Sequence, residues 1–302
     1  MPAALALIKD LKDPFEHDRH HGNIAHKLAA VRPADAEHVL GLMHTPGESV
    51  KQGAGPPAVS FARDQYAVRV CYRMAAADRE RAERIAGRIT DPGSRAQAYG
   101  VMALALARAK PEQATELLRR AFGVLGDSLN AGKDQSPSPT DDGTRKTYFM
   151  RSLTPAPVVA AALLPTAEAI DPRLVPEFLW RTLSLRVPQP REEADGAPPD
   201  DSDVSAALLL ARYDCAAART LLEPFTARKS ALLQYGRGRT LLAALAAVDP
   251  KWAVQVLDGL PAGPQKDGER PALARALALD GDARWRDAYR QIGLWFVDDE
   301  DL

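Results

Sequence analysis

Only two cysteines, Cys71 and Cys215, occur in 302 residues. That is too few for a disulfide framework, so nothing ties the fold to an oxidising compartment. Aromatic side chains make up 6% of the chain, and the core must therefore be built mainly from aliphatic and small residues. An excess of one charge is missing as well. The 39 Lys+Arg face 40 Asp+Glu, a formal net charge of −1, which disfavours a generic nucleic-acid or anionic-membrane binder. No apolar run approaches the roughly 20 residues of a membrane span, and the longest, Val158 to Leu164, stops at Pro165. Lys9, Asp10, Lys12 and Asp13 interrupt the short apolar start, and no basic stretch precedes it. This argues against a secretory signal and for a cytoplasmic protein.

What the chain has in abundance is alanine, followed by leucine, at 46% hydrophobic residues overall. Such a composition leans helical and is long enough for a substantial core. Internal periodicity is the main feature. Sliding the chain by 78 residues places Asp13-Pro14 on Asp91-Pro92, Gly22 on Gly100, Ala25 on Ala103, Leu28-Ala29 on Leu106-Ala107, Pro33 on Pro111 and Ala36 on Ala114, without a gap. Prolines and glycines coincide along with alanines, which alanine richness alone does not produce.

A shorter pattern recurs inside this one. A Leu/Met-Ala pair is followed by a polar residue, often by Pro, and then by a small residue. The instances are Leu28-Ala29…Arg32-Pro33…Ala36, Met74-Ala75…Asp78…Ala82 and Leu106-Ala107…Lys110-Pro111…Ala114. Further copies are Leu210-Ala211…Asp214…Ala218 and Leu245-Ala246…Asp249-Pro250…Ala253, with a weaker one at Ala167-Glu168…Asp171-Pro172…Val175. An apolar residue follows one turn later each time: Leu40, Ile85, Leu118, Leu179, Leu222 and Leu257. The first pair closes one amphipathic helix. Asp caps the next by accepting its free N–H groups, and Pro takes the first helical position, where its missing donor costs nothing. The small residue allows close approach of the two helices, and the apolar one enters their shared core.

The repeating unit is thus a helix, a tight turn and a second helix. Polar, Pro/Gly-rich insertions near 45–60, 126–147 and 187–203 lengthen some intervals and read as flexible loops, because the repeat resumes on both sides. The expected architecture is all-α: an α-solenoid of about six or seven stacked antiparallel helix pairs, one helical-repeat domain over residues 1–302. The unit resembles the tetratricopeptide/HEAT class of helical-hairpin repeats, and Ala-rich, Asp-Pro-punctuated bacterial repeat proteins. That resemblance implies superhelical stacking and a protein or peptide partner on the concave face, and it implies no reaction and no cofactor.

The ends carry expectations of their own. Ala4 aligns with Ala82, inside a second helix, so the first helix is either a cap or the continuation of a longer array of which this is the C-terminal part. Trp285, Tyr289, Ile292 and Phe296 fall at helical spacing before an acidic Asp298–Asp301 run, the pattern of a terminal cap.

Few residues carry chemistry. All six histidines lie within the first 44 positions, and His17 and His21 are one helical turn apart, a spacing able to hold zinc or nickel. Their 78-residue counterparts, Arg95 and Tyr99, are not ligands, and neither a His-Glu-x-x-His nor a Cys/His finger spacing is present. Cys71 reads as a small core residue. Cys215 follows the cap Asp214, where a thiol can be activated, but no histidine beyond His44 is at hand as a base. Gly236-Arg-Gly238-Arg-Thr240 lacks the Lys-Ser/Thr ending of a phosphate loop, and the Asp200–Asp203 and Asp280–Asp282 clusters lack a calcium-loop pattern. No catalytic constellation is recognisable. The remaining signal is a local basic surplus of about +5 between Phe61 and Leu125. Tyr66, Arg69 and Arg73 on one first helix, with Arg95 and Tyr99 on the next, would form a basic, Tyr-bearing groove for an acidic peptide. A nucleic-acid cradle over the same arginines is the rival reading, and a solvated face with Arg stems over Ala-rich surface is the plain one.

Overall fold

The computed structural model describes residues 13–44, 62–134, 156–185, 201–227 and 238–281, together with Leu11, Ser49–Val50, Ala58–Val59, Ala283 and Arg286. The described chain is helical: α1 (Pro14–Leu28), α2 (Pro33–Gly41), α3 (Ala62–Met74), α4 (Arg79–Gly87), α5 (Pro92–Leu106), α6 (Pro111–Asp134), α7 (Ala156–Ala162) and α8 (Leu164–Ile170). A 3-10 turn (Pro172–Leu174) leads into α9 (Val175–Ser184). α10 (Asp201–Leu210), α11 (Cys215–Ala227), α12 (Gly238–Val248), α13 (Pro250–Asp258) and α14 (Pro264–Ala278) follow. Among the described residues no helix is long and apolar enough to cross a membrane.

The punctuation read from the sequence is what starts these helices. Asp13 accepts the N–H of Phe15, Asp78 that of Arg81, Asp91 that of Ser94, Asp214 that of Ala217, and Asp249 those of Lys251 and Trp252. Each satisfies a donor the first helical turn leaves open. Pro14, Pro33, Pro92 and Pro250 sit at the first helical positions. The small residues Ala36, Ala82, Ala114, Ala218 and Ala253 are fully buried, as are Leu118 and Leu222 one turn on, with Leu40, Ile85 and Leu257 nearly so. The weaker copy departs from the pattern: Asp171 caps the 3-10 turn, and Val175 and Leu179 are only half-buried.

The second and third insertions are shorter than the sequence implies, the third because α10 already starts at Asp201. α6 runs for 24 residues to Asp134, because its buried stripe of Leu117, Leu118, Ala121, Phe122 and Leu125 carries the helix past Gly123. Within the first insertion, Ser49–Val50 pairs antiparallel with Ala58–Val59 in the register Ser49↔Val59 and Val50↔Ala58. The rest of the three insertions, Ala4 and the aromatic and acidic C-terminal pattern lie outside the described residues.

The described helices divide into two compact units. In the first, which takes α1 to α6, α8 and the start of α9, consecutive helices pair (α1 with α2, α3 with α4, α5 with α6). The first helices also pack in succession, α1 on α3, α3 on α5 and α5 on α8. α5 is central and largely buried, with Gly93, Ser94, Ala96 to Ala103 and Leu106 enclosed. The aligned glycines explain how the row closes. A Cβ on Gly22 would lie 2.3 Å from the ring of Tyr66, and one on Gly100 would lie 2.1 Å from Leu163 Cδ2. In both places the following element's side chain occupies the space a larger residue would need. The second helices are joined by ion pairs from one to the next: Glu37 with Arg81 and Arg88, Arg79 with Glu116, Glu83 with Arg120, and Arg119 with Glu177. Phe122 packs on Phe178 with ring centroids 4.9 Å apart.

In the second unit α10 pairs with α11 and α12 with α13, α10 and α11 both pack on α12, and α14 closes against α12 and α13. Arg219 bridges neighbouring hairpins, its guanidinium 4.9 Å over the Trp252 ring and 3.6 Å from Asp249 Oδ2.

Candidate functional site

The chemistry concentrates on the first helices of the first unit. α1 carries a buried carboxylate, Asp18, only 1% exposed. It accepts the backbone N–H of His44 at 3.1 Å and the His44 Nδ1–H at 2.9 Å, reaching the turn that follows α2. α3 carries Asp64, 2% exposed, which accepts the Thr90 N–H at 3.1 Å, the Thr90 hydroxyl at 2.6 Å and the Asp91 N–H at 3.1 Å. Both clamps span 26 residues, and the two carboxylates stand 46 positions apart. Each first helix is thereby tied to the end of its own hairpin by charge-assisted hydrogen bonds. Asp91 goes on to cap α5 through the N–H and hydroxyl of Ser94, both at 2.7 Å.

Among the described residues, the imidazoles of His17, His44 and His21 gather near Asp18. His17 Nδ1 lies 3.5 Å from Asp18 Oδ1, buried and without a hydrogen bond. The His17 ring centroid is 4.1 Å from that of His21 and 5.7 Å from that of His44. His21 donates its Nδ1–H to the His17 carbonyl at 2.8 Å. Burial holds it below the ordinary imidazole range, against the opposing effects of that hydrogen bond and of Asp18. One ligand-capable atom from each of His17, Asp18 and His44 lies within 4.8 Å of the other two.

His17 and His21 are therefore brought together as their spacing implies, but the converging set is His17, Asp18 and His44. Sequence reading missed His44 because it reaches α1 only through the fold. The signal was present in the alignment of Ala29 with Ala75 and Ala36 with Ala82: the same shift carries Asp18 onto Asp64 and His44 onto Thr90.

The expected basic groove is divided. Tyr66, Arg69 and Arg73 share the open face of α3, where Gln65 and Arg73 are exposed and Tyr66, Arg69 and Tyr72 half-exposed. The Arg69 guanidinium lies 5.8 Å from the Tyr66 ring centroid. Arg95 and Tyr99 do not join them, which corrects the sequence expectation. Arg95 donates from Nε to the Ile89 carbonyl and from Nη2 to the Thr90 carbonyl, fixing the turn before its own helix. Tyr99 is 2% exposed. It sits under Arg120, whose guanidinium is 4.5 Å from its centroid, and burial raises its phenol pKa. The physical reason is that packing encloses most of α5. Much of the local basic surplus lies on the second helices, where Arg79, Arg81, Arg88, Arg119 and Arg120 meet acids of neighbouring helices.

The thiols are separated in kind. Cys71 is fully buried, donates to the Ala82 carbonyl at 3.4 Å, and has its pKa pushed far up by desolvation. Cys215 is exposed, with its S–H given to the Ala211 carbonyl at 2.9 Å. Gly238 opens α12 as a plain helix start, and Asp280 caps Ala283.

No family model matches the chain, and neither the curated proteins nor the solved structures contain a match to it.

Proposed function

We propose that this chain is a non-enzymatic interaction scaffold of the α-solenoid kind, related in style to tetratricopeptide and HEAT repeats. In this reading it takes an acidic protein segment across the open faces of α1 and α3. One observation carries it: the first-helix row is open on α1 and α3 and shut on α5. The open strip presents Arg19, Asn23 and Lys27 from α1 and Gln65, Tyr66, Arg69 and Arg73 from α3, all exposed or half-exposed. Lys27 and Arg73 occupy the same position in their repeats, 46 residues apart. The Tyr66 ring resting on Gly22 makes the two helices one continuous surface. Basic groups spaced along adjacent helices with an aromatic between them favour an extended acidic ligand, by Coulomb steering and by stacking at the ring. The near-neutral net charge favours a protein segment over nucleic acid. A cytoplasmic setting belongs to the same proposal.

The test is quantitative affinity capture from nuclease-treated native lysate at moderate salt, comparing wild type, a Lys27→Glu/Arg69→Glu/Arg73→Glu variant and an Arg119→Ala control on the second-helix row. A partner held by wild type and by Arg119→Ala, and released by the triple variant, is the expected result. Equal capture by all three would overturn the placement of the face. A partner lost only on nuclease treatment would replace the protein ligand with a nucleic acid.

A further inference from the structure

The second repeat is a built-in control for the first. At a shift of 46 residues His17, Asp18, His21 and His44 correspond to Arg63, Asp64, Ala67 and Thr90. The carboxylate is kept and does the same work in both places, receiving the N–H of the residue that ends the hairpin, at 3.1 Å from His44 and 3.1 Å from Thr90. That clamp needs one carboxylate, one backbone donor and a hydroxyl. In the second repeat the space beside it is a cleft of about 140 Å³, lined among others by Arg63, Asp64, Ala67 and Thr90. In the first repeat the His44 Nδ1–H takes the place of that hydroxyl, while His17 and His21 stand where the second repeat has Arg63 and Ala67, and the clamp calls for neither of them.

We infer that His17, Asp18 and His44 form a binding site for a divalent transition-metal ion of the zinc type, one per chain. Borderline nitrogen ligands with one carboxylate suit zinc and its neighbours in the series and do not suit calcium or magnesium. Asp18 Oδ1 stands 3.5 Å from His17 Nδ1 and 2.9 Å from His44 Nδ1, and the wider spread of ligand-capable atoms reaches no further than 4.8 Å. A tetrahedral ion with bonds of about 2.0–2.2 Å holds its ligand atoms about 3.3–3.6 Å apart, so imidazole rotation closes the set. His17 Nδ1 is a buried nitrogen with no hydrogen bond, a state that costs stability unless something occupies it. Three protein ligands leave a fourth position for water, and the side chains of His17 and His44 are 23% and 32% exposed, which leaves a way in. The His21 ring packs against His17 and gives its Nδ1–H to the His17 carbonyl, steadying the backbone that carries two of the ligands. The site rests on geometry independent of the proposed acidic-segment face.

The experiment titrates the full chain with Zn²⁺ alone against a chromophoric chelator, with Co²⁺ absorption as a second readout. Wild type should bind one equivalent, with Co²⁺ giving the intense visible bands of a low-coordinate N/O site. His44→Thr and His17→Arg adopt residues the second repeat already uses, so the fold should persist by circular dichroism while affinity falls at least tenfold. Asp64→Asn perturbs the sister clamp and should leave binding unchanged. A His20→Gln/His26→Gln/His38→Gln variant should bind as wild type does. The proposal is overturned by failure of wild type to bind one equivalent, by wild-type affinity in both His17→Arg and His44→Thr, or by loss of binding in the triple glutamine variant.

Discussion

Asp64 on α3 receives both the N–H and the hydroxyl of Thr90, at 3.1 and 2.6 Å, and so fastens a first helix to the far end of its own hairpin. Three donors converge on one buried oxygen once the Asp91 N–H is included. Asp64→Ala strands them, and we expect a loss of about 2–4 kcal/mol in urea unfolding. Asp64→Asn keeps an acceptor and should cost about half as much. A loss below about 1 kcal/mol for the alanine variant would show that the clamp is ornamental.

Gly22 and Gly100 look equivalent in the sequence and should differ in their tolerance. A Cβ at Gly22 strikes the base of the Tyr66 ring, whereas at Gly100 it strikes the far end of Leu163, which can turn away. Gly22→Ala should therefore destabilise by about 1–3 kcal/mol despite the better helix propensity of alanine, while Gly100→Ala stays within about 1 kcal/mol of wild type. Denaturant midpoints at constant m-value decide it.

His21 makes stability pH-dependent. Burial lowers its pKa from the ordinary 6.5, so the unfolded chain binds a proton more readily than the folded one. Stability is complete above about pH 6.5 and declines as pH falls through the lowered value. In chelator-containing buffer, His21→Leu should unfold with a shallower acid dependence over that window. Parallel curves for the two proteins would contradict the assignment.

Asp78 acts in the same direction at lower pH. The Arg81 N–H and guanidinium hold its carboxyl below the ordinary 3.8, so its contribution is present above that value and is lost as the pH falls through the lowered one. Asp78→Ala should cost about 1 kcal/mol at neutral pH, the usual worth of an N-cap. The difference from wild type should narrow as the pH falls below the ordinary 3.8.

Alkylation separates the two thiols. Cys215 is exposed and Cys71 is enclosed with its pKa raised. Iodoacetamide under native conditions should label one equivalent per chain, at Cys215 by peptide mapping, and a second only after denaturation. Native labelling of Cys71 would place the packing of α3 against α4 in error.

The helices, their caps and much of the core were legible in the chain because those features are local. An Asp or Pro at a helix start and an alanine one turn inside act on neighbours three or four residues away, and so leave a periodic trace. Ala36, Ala82, Ala114, Ala218 and Ala253 are buried for that reason. The same logic reads Tyr99 and Arg95 incorrectly. Their helix has the pattern of α3, and only the elements packed around α5 decide that Tyr99 is buried and that Arg95 is turned onto the preceding turn. A local charge sum likewise does not reveal that Arg81 is answered by Glu37 on another hairpin. The histidine site divides along the same line. The nearness of His17 to His21 follows from helical pitch alone, whereas the arrival of His44 at Asp18 depends on α2 folding back along α1. A helix propagates its own geometry over a turn or two; which distant turn is delivered to a buried carboxylate is settled by packing, and packing belongs to the tertiary structure.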